Sequence, residues 1–106
     1  MQIKIRGSRD ECVEAIASAL GQYGRGHPGA EIELYRRNWA SIHARIVDPD
    51  FAGISSADRH ELVWKFLEPL PDAVQSHMSV LLLLTPDEKK KSYASVEFDD
   101  PVSSRV

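Results

Sequence analysis

Cysteine is almost absent from this sequence: there is one thiol, Cys12, in 106 residues. That excludes a disulfide framework and any zinc module built on four cysteines or on a pair each of cysteine and histidine. Long apolar runs are missing too. The longest, residues 80–84, falls far short of the roughly 20 residues that span a bilayer. Residues 1–7 alternate rather than forming a charged-then-apolar leader. A strong charge of either sign is also lacking, since the formal net charge is −3. This is no obvious DNA binder. The length suffices for one domain and is too short for two, so the expectation is a single small, soluble, cytoplasmic domain without a membrane role.

The charge is unevenly spread. Residues 1–47 carry seven basic side chains against five acidic ones, and residues 48–106 carry six against eleven. The one dense basic tract, residues 89–91, directly follows Asp87 and Glu88. Three lysines flanked by acids read as a solvated turn, a weak footprint for phosphate.

Hydrophobic periodicity organises the rest. Ile3 and Ile5 alternate with polar neighbours, as in a short strand. Ser8 and Glu11 form a capping-box pattern before Val13, Ile16, Ala17 and Leu20, which predicts a helix over roughly 9–23. The stretch Gly24-Arg-Gly-His-Pro-Gly29 stops it. Runs at 31–36 and 42–47, joined by a short link, predict an antiparallel hairpin. Ser55 or Ser56 caps a helix over about 57–67 with Leu62, Val63, Phe66 and Leu67 as its apolar stripe, and Pro69 and Pro71 end it. The run 80–84 follows a crossover of helical length, so it is expected parallel to a hairpin strand. Being apolar throughout, it is expected centrally or covered on both faces. Thr85, Pro86 and Glu88 predict a capping box and helix start. Residues 92–98 alternate and read as a last edge strand, with 99–106 a frayed tail. The expected architecture is a small α+β sandwich with helices on one side of a mixed sheet.

Tests for chemistry are mostly negative. Gly24-x-Gly26-x-x-Gly29 matches the dinucleotide fingerprint in letters, but it leaves a helix and enters a strand, the reverse of what pyrophosphate binding needs. Cys12 sits near a helix N-terminus, yet beside Val13 and before Ile16 it reads as a semi-buried helix residue. None of His27, His43, His60 and His77 forms an i, i+4 zinc pair, no Asp/Glu cluster accompanies them at metal-site spacing, and no carboxylate dyad or serine triad stands out. The residues alone favour no enzyme.

Three patches together resemble the BolA family. The first runs from Val47 through Phe51-Ala-Gly53, then after five residues Arg59-His60, Val63 and Trp64. It is similar to the family's F-x-G followed by R-H-x-x-V-Y, with Trp64 in place of Tyr. The second is His77 with Thr85-Pro86-Asp-Glu88 eight residues later, like the family's histidine and its T-P-E-E ending. The third, looser, is an amphipathic first helix followed by the Ile32-Glu-Leu34 strand. The likeness covers roughly residues 10–88.

That resemblance implies a KH-like (class II) α-β-β-α-α-β two-layer sandwich with a mixed sheet. Its core would span about 9–88, with further strands at 1–7 and 89–98. It implies a non-enzymatic adaptor that pairs with a monothiol glutaredoxin and supplies a histidine ligand, His77, to a bridging 2Fe–2S cluster. A neutral imidazole replacing a thiolate would change the cluster's charge and lability. The position where the family often carries a second His or Cys falls at Ser41, a poor iron ligand. His43, two residues on, shares a strand face with it and either replaces that ligand or is an exposed strand histidine. Met78 and Leu81 to Leu84 stand where the family has aromatic and small residues. Phe51, Gly53 and His60 take structural roles, His60 fixing its helix against the preceding loop. The alternatives are a KH-like nucleic-acid-binding or transcriptional module using Arg36, Arg37, Arg59 and Lys65, and a divergent homologue without the cluster role. No G-x-x-G clamp joins two helices, and the net charge has the wrong sign for a general phosphate binder.

Overall fold

A computed structural model describes residues 1–100; part of the expected tail therefore lies outside the described residues. The alternating amino-terminal segment forms β1 (Gln2–Arg6). After it comes α1 (Glu11–Arg25), whose Val13, Ile16, Ala17, Leu20 and Tyr23 fall on one buried face. Its cap is Asp10, which accepts from the Val13 N–H; the expected Ser8 box is not used. A capping side chain has to reach an amide two or three residues on, and Asp10 holds that position for a helix beginning at Glu11.

The predicted hairpin is present as β2 (Glu31–Asn38) and β3 (Ser41–Val47), paired antiparallel. A single 3-10 turn at Pro49–Phe51 leads to α2 (Ser56–Leu67), capped by Ser55. A short α3 (Asp72–Gln75) follows, then β4 (Met78–Leu84), which returns parallel to β3 as the crossover length requires. Thr85 and Glu88 form the predicted capping box of α4 (Pro86–Lys91). The four-stranded mixed sheet has the order β1-β2-β3-β4. Within the described residues, α1-β2-β3-α2-α3-β4 runs α-β-β-α-α-β. No described helix is long and apolar enough to cross a membrane.

One face of the sheet carries Ile32, Leu34, Ile42, Ala44 and Ile46, which pack with Val13, Ile16 and Leu20 of α1 and Val63 and Leu67 of α2. Leu62 and Phe66, expected on the same stripe, remain partly exposed at its margin. The run 80–84 is not central: among the described residues, β4 is an outer strand bonded only to β3. Leu83 is buried, while Leu81, Leu82 and Leu84 are half-buried. Their apolar character is satisfied by partial cover from neighbouring helices, without a second neighbouring strand.

The largest correction lies at residues 92–98. This segment is a helix, α5 (Tyr93–Asp99), capped by Ser92, and it packs on the face of the sheet opposite α1 and α2. Helices therefore flank the sheet on both sides instead of one. The buried positions are Ser95 and Phe98, spaced i, i+3 along a helix. The sheet supplies the reason for docking. Arg45, nearly buried on β3, donates to Ser95 Oγ at 2.8 Å and pairs with Asp99 at 2.8 Å. Arg6 donates to the Phe98 carbonyl and pairs with Glu33 at 2.6 Å. Both guanidinium groups lie within 5.0 Å of the Phe98 ring centre, and Tyr35 meets the ring edge-on. Buried cations demand such partners.

Val96 discriminates helix from strand, because its side chain is 61% exposed while its N–H donates to the Ser92 carbonyl. Val96→Pro should lower stability by up to about 3 kcal/mol in urea denaturation, and Val96→Ala should leave the midpoint almost unchanged. An edge strand would tolerate the proline, so equal midpoints for the two variants would contradict a docked helix.

Candidate functional site

The residues of the sequence motifs converge on one guanidinium. Phe51 is buried, and at Gly53 the backbone takes φ +80°, a conformation that favours glycine. This turns the chain into the Ser55 cap. Arg59, one turn into α2 and 7% exposed, reaches back across the turn. It donates to the Ile54 carbonyl at 2.8 Å, to the Leu83 carbonyl at 2.9 Å, and to both carboxylate oxygens of Glu88 at 2.6 and 3.1 Å. Its guanidinium lies 5.5 Å from the centre of the Phe51 ring. Arg59 therefore does not present a positive face outward. It also performs the anchoring expected of His60, which is exposed and whose imidazole makes no hydrogen bond among the described residues.

His77 ends the α3 turn just before β4, and its carbonyl accepts from the Ile42 N–H. Its imidazole is half-buried, with Nδ1 3.2 Å from Arg36 Nη1. Arg36 in turn forms a two-pronged pair with Asp10, Nη2 to Oδ1 being 3.1 Å. The Arg36 guanidinium beside Asp10, together with the Val13 N–H, holds that carboxyl down at about 2. A helix cap, a strand arginine and the histidine thus form one chain of contacts at the hairpin end of the sheet.

His43 belongs to a different place. On β3 it alternates with the core residues Ile42 and Ala44, so it faces the α5 side. Its Nδ1 is 3.2 Å from the Tyr35 hydroxyl. It lines a cavity of about 240 Å³ with Tyr35, Arg37, Val80, Glu97 and Phe98. Burial, with Arg37 adding to it, pushes the imidazole below its ordinary value and favours the neutral ring. The contacts of His43 and His77 thus lie with different elements, His43 under α5 and His77 at Arg36 and the α1 cap. The four basic residues also disperse. Arg36 is paired with Asp10, Arg37 lines the α5-side cavity, Arg59 is internal, and only Lys65 is exposed on α2.

A third group corrects the expectation that no acidic cluster accompanies the histidines, because the fold brings two aspartates to one of them. His27, in the glycine-rich stretch, places Nδ1 2.8 Å from Asp50 Oδ2 and 3.3 Å from Asp48 Oδ2. Tyr23 stacks on the imidazole with ring centres 4.1 Å apart, and its hydroxyl donates to Asp48 Oδ2 at 2.6 Å. Burial and the two aspartates push that hydroxyl far up, so it stays a donor. Two acids at i, i+2 leaving a strand were the only local signal, because their histidine comes from more than twenty residues earlier. Comparisons with protein-family models, curated proteins and solved structures give no match to this chain.

The Arg59 knot has a readable acid signature. Arg59 and the Thr85 amide hold the Glu88 carboxyl well below its usual 4.5, at about 2. A depressed folded-state value means the contribution is complete above pH 4.5 and disappears as pH falls toward 2. Glu88→Gln should cost about 1–3 kcal/mol at neutral pH, with the gap from wild type closing over that acid window. Stability measured by denaturant at successive pH values checks this, and a constant gap would contradict it.

Proposed function

We propose that this chain is a non-enzymatic adaptor of the BolA-like type, with a KH-like (class II) core. In this reading it docks a monothiol glutaredoxin through the surface around His77. One observation carries the reading: the two sequence patches that bear the resemblance are joined in space, Arg59 of the first being clamped to Glu88 of the second. Two segments nearly thirty residues apart meet in this one ion pair, and that junction is what supports reading the patches together. The α-β-β-α-α-β order of α1 through β4 also supports it.

The residues fit a 2Fe–2S cluster held mainly by the partner, to which this chain contributes a single imidazole. His77 is half-exposed and engaged by one side chain. Since an arginine can only donate, a neutral His77 accepts at Nδ1 and carries its proton on Nε2. Ligation would exchange that acceptor bond for iron, and Arg36 would keep its Asp10 pair. His43, packed under α5 with Tyr35, is not a second ligand in this reading. A bound cluster supplies one-electron redox chemistry, and the adaptor's own contribution is a neutral ligand in place of a thiolate. The place of action would be the cytoplasm and the process iron–sulfur or redox homeostasis. The nucleic-acid reading receives no support from the dispersed basic side chains.

Mixing the protein with a cluster-loaded monothiol glutaredoxin should change the visible circular dichroism of the cluster. His77→Ala should abolish most of that change and His43→Ala should retain it. An unchanged spectrum with the wild-type protein would sink the adaptor role; equal loss in both variants would sink the single-ligand assignment.

A further inference from the structure

We propose that His27, Asp48 and Asp50 form a binding site for a divalent transition-metal ion of the zinc type. The three side chains come from two connections that meet at one end of the sheet. His27 follows α1, and Asp48 and Asp50 flank Pro49 where β3 ends. One ligand atom from each lies within 4.8 Å of the other two. Zinc bonds of about 2.0 Å separate tetrahedral donors by roughly 3.3 Å. His27 Nδ1 and Asp48 Oδ2 already stand 3.3 Å apart. Asp50 Oδ2, 2.8 Å from the same nitrogen, needs only a small outward shift, and its side chain is 61% exposed and free to make it.

The surroundings prepare the two inner donors. Asp48 is 0% exposed, its Oδ1 fixed by the Asp50 N–H at 2.9 Å and its Oδ2 by Tyr23. Tyr23 also packs flat on His27 and sets the plane of the ring. Hydrogen-bonded carboxylates and oriented imidazoles are the usual support of a metal centre. Charge points the same way. Among the described residues, the ion pairs of both carboxylates run to His27 alone. A fully buried carboxylate, with a second one beside it, calls for a cation. An imidazole with two carboxylates suits zinc and its neighbours. Asp48 forms the inner wall and Asp50 the solvent side, leaving an open position for water as in three-ligand zinc sites. The centre shares no residue with the His77 group, so it stands or falls separately from the adaptor reading.

The untagged full chain, titrated with Zn2+ against a chromophoric competitor, should bind one ion per chain. Co2+ should give visible d–d absorption, and Zn2+ should raise the melting temperature. Asp50→Asn, at an exposed position, should weaken binding at least tenfold without altering the far-UV circular dichroism. His27→Gln should abolish binding and the Co2+ bands, and His77→Ala should leave both intact. Absence of saturable one-to-one binding would overturn the site, leaving the three side chains as a hydrogen-bonded cluster. Undiminished binding in Asp50→Asn and His27→Gln, or its loss in His77→Ala, would overturn it equally.

Discussion

The Arg59 guanidinium holds together four pieces of chain that would otherwise have little reason to stay in place. These are the turn before α2, the last residues of β4, the first turn of α4 and the ring of Phe51. An arginine this deeply placed is tolerated only when nearly all its donors are used, so each partner constrains the next. The Leu83 carbonyl fixes where β4 ends, and Glu88, itself half of the Thr85 capping box, fixes where α4 begins. Because α2 is the first helix of the crossover that returns β4 parallel to β3, this one side chain ties the start of the crossover to the end of its last strand.

Where the signal was local, the sequence was readable. The hairpin, the Ser55 cap, the Thr85–Glu88 box and the parallel return of β4 each follow from a few neighbouring residues or from one connection length. The failures have different physical origins. Seven residues at 92–98 satisfy both a two-residue and a three-residue period, and what decides between them is a pair of arginines on β1 and β3. The edge position of β4 depends on where the other strands go, which its leucines do not encode. Arg59 and His60 are adjacent, and only the direction of the helix face tells which one turns inward.

The same limit governs the sites. Counting along β3 places His43 on Ser41's face, and that much is geometry any strand obeys. Counting does not reveal that α5 occupies that face, nor that His77 turns toward Arg36 and the α1 cap. The Tyr23, His27, Asp48 and Asp50 group was least legible of all. Its members are ordinary singly, and the fold alone brings the end of α1 against the end of β3.

The way α5 is attached has a thermodynamic consequence of its own. The surface beneath it includes Arg6, Glu33, Arg45 and Tyr35, so Phe98 is its one buried large apolar side chain and the remaining attachment is largely ionic. Lifting the helix would uncover charge that water solvates readily, while the apolar core on the opposite face stays closed. Buried and partly buried pairs of this kind are screened little by salt, so the pairs of Arg45, 5% exposed in its side chain, keep most of their strength in a saline solvent. The two faces of one small domain are thereby held by different forces, ion pairing under α5 and hydrophobic burial under α1 and α2.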